Sequence, residues 1–147
     1  MTRAILSYVA FALLSAGSLA SPPKPGESEY FVTRAADIFI VGGEGLRYAL
    51  SIELRRPLAA PIYITVDFED PADRDHPLFV EREVTPGEQI VEVRSEPFRA
   101  IKNGGKYLVK VWIYEDALRR KPLGTHEQMV QFKVPGVVFS TFGIEKL

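Results

Sequence analysis

Apolar residues in this chain return at every second position, in short runs cut by turn formers. In Tyr48–Arg55, Tyr48, Leu50, Ile52 and Leu54 share one parity; in Ile62–Phe68, Ile62, Ile64, Val66 and Phe68 oppose Tyr63, Thr65 and Asp67. Only extended chain puts alternate residues on one face, so the pattern specifies half-buried strands. Tyr107–Tyr114 is the strongest run, and Phe79, Val84, Val91 and Val93 mark weaker ones around the Thr85-Pro86-Gly87-Glu88 turn. Further turns fall at Gly42–Gly45, between Pro57 and Pro61, across 70–77 and at Lys102–Gly105. Near the start, Ala35-Ala36-Asp37 separates Tyr30–Val32 from Ile38–Val41, which suggests a bulge or a strand changing sheets. His126–Val134 reads as the next strand, and Ala117–Lys121 as a short helical turn. Seven or eight short strands without a long helix imply an all-β, antiparallel, two-sheet sandwich.

The first twenty residues follow different rules. Arg3 precedes the apolar run Ala4–Leu14, and Ser18-Leu19-Ala20 ends it with small residues. That is the pattern of a cleaved secretory signal peptide over 1–20. The run is short for a span and is followed by a proline-rich leader, 21–29, that cannot continue a helix. The mature chain is therefore expected to hold no transmembrane span and to be periplasmic or secreted. Residues 30–134 form the sandwich. The apolar segment 135–147 is expected to pack as an extra strand, with addition to a partner's sheet edge as the alternative.

The segment Gly105-Lys106-Tyr107-Leu108-Val109-Lys110-Val111 resembles the tyrosine corner of immunoglobulin-like and fibronectin type III-like sandwiches. The resemblance implies that Tyr107 opens the sixth strand and that its hydroxyl bonds back to upstream backbone. It also implies that this strand pairs with the third. The disulfide and strand-C tryptophan of antibody-type domains are missing, since the chain has no cysteine and its single tryptophan is Trp112. Such a fold hosts many roles and assigns none.

Composition narrows the chemistry. With 18 Lys and Arg against 19 Asp and Glu, the net charge is −1, so no general basic field is present to attract nucleic acid. The absence of cysteine removes thiolate metal sites and cysteine nucleophiles. Neither histidine lies in a catalytic motif: Gly-x-Ser-x-Gly and His-Glu-x-x-His are both absent. Gly42-Gly43-Glu44-Gly45 lacks the Lys-Ser/Thr of a phosphate loop. The densest polar cluster comprises Asp67, Glu69, Asp70, Asp73 and Asp75, with His76 after it. A calcium ion is the cofactor such oxygens would take. The spacing does not fit an EF-hand loop and Arg74 neutralises part of the cluster, so a solvated connection is the preferred reading and no cofactor is expected.

Strand parity singles out a second group. If Tyr107, Val109, Val111 and Ile113 face the core, then Leu108, Lys110, Trp112 and Tyr114 face outward. Pairing with the third strand adds Tyr63, so Tyr63, Trp112 and Tyr114 form a candidate aromatic patch for binding a partner or stacking on a sugar. The alternative is that the leader or the C-terminal segment covers this face. The expectation is a non-catalytic interaction or accessory module that binds another exported or envelope protein, or a glycan. A small carbohydrate-active or hydrolytic enzyme and a structural spacer are the alternatives.

Overall fold

The computed structural model describes residues 28–134 and 145–146. The expected signal peptide 1–20, most of the leader 21–29, and residues 135–144 and 147 of the C-terminal segment lie outside the described residues. Among the described residues nine strands follow one another: β1 (Phe31–Val41), β2 (Gly45–Leu54), β3 (Ile62–Phe68), β4 (Leu78–Val84), β5 (Ile90–Arg94), β6 (Lys102–Asn103), β7 (Lys106–Tyr114), β8 (Pro122–Gln131) and β9 (Glu145–Lys146). They form a three-stranded sheet, β1-β2-β5, and a four-stranded sheet, β4-β3-β7-β8, both antiparallel throughout. β9 pairs in parallel with β6, Lys102 with Glu145 and Asn103 with Lys146. Among the described residues no helix is long and apolar enough to cross a membrane.

The alternation seen in the sequence decides which faces meet. Leu46, Tyr48, Leu50, Ile52 and Leu54 of β2 and Val91 and Val93 of β5 are buried. So are Ile62, Ile64, Val66 and Phe68 of β3, and Tyr107, Val109, Val111 and Ile113 of β7. Together these side chains fill the space between the sheets. Tyr48 lies between Phe68 and Phe98, with ring centroids 5.0 and 4.7 Å away, and its hydroxyl donates to the Glu69 carbonyl at 2.8 Å. Burial, and then the nearby Glu69 carboxylate, hold its phenol well above the ordinary pKa.

The expected bulge in β1 falls at Arg34, where the register with β2 shifts between Thr33 and Ala35. It switches the inward parity from Phe31 and Thr33 to Ala36, Ile38 and Ile40. One extra residue thus reconciles two apolar runs that are out of phase. The freed Arg34 side chain pairs with Glu53.

The expected helical turn at Ala117–Lys121 is a non-helical turn. Asp116 accepts the Leu118 amide on its side chain (2.9 Å) and the Arg119 amide on its carbonyl (3.1 Å), and Arg119 adopts φ +51°. β8 then begins at Pro122, four residues before the expected His126. Proline is tolerated there because it is the first residue of an edge strand.

At the corner, the Lys102 amide donates to the Tyr107 hydroxyl at 2.8 Å. A Cβ on Gly105 would lie 2.5 Å from that hydroxyl, so the ring can reach back only across a glycine. The sequence motif therefore carries its contact.

Candidate binding site

The outer face of the four-stranded sheet is set by register. Glu83, Tyr63, Tyr114 and Pro122 form one cross-strand row; Glu81, Thr65, Trp112 and Thr125 the next; Phe79, Asp67, Lys110 and Glu127 a third. Tyr63 and Tyr114 are direct partners, and Trp112 lies one row along beside Thr65. All three aromatic residues are half-buried and share this face, in the places that parity assigns them. Thr65 is buried although it faces outward, between Glu81 and Trp112 in its row.

Two depressions flank Trp112. One, of about 510 Å³, is bounded by Glu69, Arg74, Leu108 and Lys110. The other, of about 600 Å³, is bounded by Asp75, His76, Phe79, Tyr114 and Arg119, with Thr65 also lining it. Asp67, Pro77 and Trp112 line both. Tyr63 lines neither and stands at the far end of the patch, next to Tyr114 and Glu83.

The walls come from two loops. Glu69 anchors the connection between β3 and β4: its amide donates to the Leu108 carbonyl (2.9 Å) and its Oε2 accepts the Leu108 amide (2.8 Å). Its Oε1 pairs with Arg74 at 3.0 Å, which draws the loop back over the sheet. Within the loop, Asp70 accepts the Ala72 amide (2.9 Å) and Asp73 accepts the Asp75 amide (3.2 Å). Asp73 Oδ2 also lies 2.9 Å from His76 Nδ1. That hydrogen bond to His76 leads the causes that hold the Asp73 carboxyl below the usual range. The opposite wall comes from the turn after β7, where Arg119 pairs with Glu81 at 2.9 Å and lies 5.7 Å above the Phe79 ring.

The acidic cluster is therefore spread out. Glu69 is a latch, Asp70 and Asp73 shape the loop, and Asp67 stands on the sheet. Among the described residues no group of three Asp, Glu or His side chains is placed to hold a metal ion. Burial raises the Asp67 carboxyl above its ordinary pKa, opposed by the Lys110 charge beside it.

The histidines do not meet. His76 is on the outer-face loop, whereas His126 pairs with inward-facing Val111 and packs edge-on against Phe31, centroids 5.4 Å apart.

No family model matches the chain, and no curated protein sequence matches it. Among solved structures, a β-glucuronidase of Bacteroides uniformis is similar at 13% identity and a TM-score of 0.41, over 70% of this chain. The match spans 13% of that enzyme's length.

Sequence reasoning missed Phe79, Arg74 and Arg119 as parts of this face. Phe79 was legible in principle, since it shares parity with the outward Glu81 and Glu83. Arg74 and Arg119 were not, because loops and turns bring them in and no periodicity governs those segments.

Proposed function

We propose that the chain is a non-catalytic binding module, exported and acting in the periplasm or outside the cell. Its site is the outer face of the four-stranded sheet around Trp112, and it captures a protein or a glycan. The architecture behind this reading is an immunoglobulin-like or fibronectin type III-like sandwich, supported by the Tyr107 contact and the pairing of β7 with β3. The observation that carries the reading is a half-exposed indole set between two depressions, on a sheet whose central strands β3 and β7 turn their opposite face into the core. Aromatic anchors in such clefts dominate binding energy where they occur.

The test is Trp112→Ala. The variant should fold cooperatively, at a cost of about 1–2 kcal/mol for half-buried apolar surface. It should weaken ligand capture by about 2 kcal/mol or more. A variant that does not fold would make the indole a packing element and remove the site.

A further inference from the structure

We propose that the cleft around Trp112 receives cationic side chains, so that the partner is a basic peptide segment and not a neutral glycan. This rests on the binding-module reading and adds the chemistry of the ligand.

The first observation is the pairing of charges. The two depressions are lined by three carboxylates, Asp67, Glu69 and Asp75, and by three permanent cations, Arg74, Lys110 and Arg119. Each cation is already engaged: Arg74 with Glu69 at 3.0 Å, Lys110 with Glu127 at 3.2 Å, Arg119 with Glu81 at 2.9 Å. His76 is engaged by Asp73. Among the described residues neither Asp67 nor Asp75 is in an ion pair within 4 Å, Asp67 feeling only the Lys110 charge from the neighbouring strand, and both line the depression that Tyr114 also lines. What the cleft offers an incoming group is therefore negative charge.

The second observation is the aromatic surface between these carboxylates. Indole is the best side-chain acceptor for a cation over its face, and tyrosine follows it. Trp112 and Tyr114 are adjacent on this face and half-exposed. An anionic ligand would have to compete with Glu69, Glu127 and Glu81 for the three cations, and a neutral one would bring no cation to Asp67 and Asp75. A guanidinium or ammonium group satisfies both features together. Its stem would pack on Pro77 and Phe79, since long cationic side chains bury their methylenes along apolar surface.

Calorimetric titration of the full chain tests this, with three probes. These are acetyl-Gly-Arg-Gly-Arg-Gly-amide, the same peptide with glutamine for arginine, and the neutral oligosaccharide cellohexaose. The arginine peptide should bind, should weaken with added salt, and should outbind its glutamine analogue at least tenfold. Asp67→Asn combined with Asp75→Asn should lose at least tenfold, and so should Trp112→Ala. Glu92→Gln removes one charge from the other sheet's strand β5 and should change nothing. The inference is overturned if the arginine peptide fails to bind, or if Glu92→Gln weakens it as much as the paired aspartate variant. Cellohexaose binding that requires Trp112, without peptide binding, would overturn it while leaving the binding module standing. Only loss of the fold in Trp112→Ala removes both.

Discussion

The two sheets present similar inner faces and dissimilar outer ones. On the three-stranded sheet, the middle strand turns Arg47, Ala49, Ser51 and Glu53 outward, both charged residues in ion pairs, and the one large outer aromatic, Phe39, sits with Arg94 5.9 Å above its ring. On the four-stranded sheet, the middle strands turn out Tyr63, Asp67, Lys110, Trp112 and Tyr114, and loops rise on either side. Burial demands the same residues of both inner faces, because each must fill one shared core. The outer faces are free of that demand. Where one accumulates rings, free carboxylates and walls, packing between the sheets does not explain it.

The core that both sheets share should give the largest effect. Tyr48→Ala removes a fully buried ring from between Phe68 and Phe98 and should cost about 3–5 kcal/mol. Denaturant unfolding that shows less than about 1 kcal/mol would mean that the sheets are not held together there. The outer faces should respond far less to loss of a ring. Phe39→Ala on the three-stranded sheet should match Trp112→Ala in stability to within about 1 kcal/mol. Only Trp112→Ala should affect peptide capture, and equal effects on capture would erase the distinction between the faces.

Tyr107→Phe comes next. It leaves the Lys102 amide without its 2.8 Å acceptor and should cost about 1–1.5 kcal/mol by chemical denaturation. A change near zero would show that the corner hydroxyl is replaced by water.

The smallest effect is a titration, and it separates two aspartates of the same face. Asp67 should titrate above the ordinary value of about 3.9 and Asp73 below it, read by carbon NMR of the carboxyl groups. The linked stabilities then have opposite sign. Asp73's contribution is present above the ordinary pKa and is lost as pH falls through its lowered one. Asp67's is present below the ordinary pKa and is lost as pH rises through its raised one. Identical midpoints would mean that the loop and the sheet offer the two carboxyls the same surroundings.

Period-two alternation alone determined which residues face inward in β2, β3 and β7, because a strand has no other way to sort its side chains. The same parity placed Tyr63, Trp112 and Tyr114 on one outer face once β7 was paired with β3. A short local motif sufficed for the Tyr107 contact, since donor and acceptor lie five residues apart. Tertiary structure decided the rest. It put the bulge at Arg34, where one residue had to be absorbed to bring Phe31 and Ile38 to the same core. It also drew Glu69 out of the acidic cluster to latch Leu108, and it carried Arg74 and Arg119 to the edges of the Trp112 cleft. Those placements depend on contacts between distant segments, Glu69 with Leu108 and Arg119 with Glu81, and no repeat in the sequence encodes a distance across the fold.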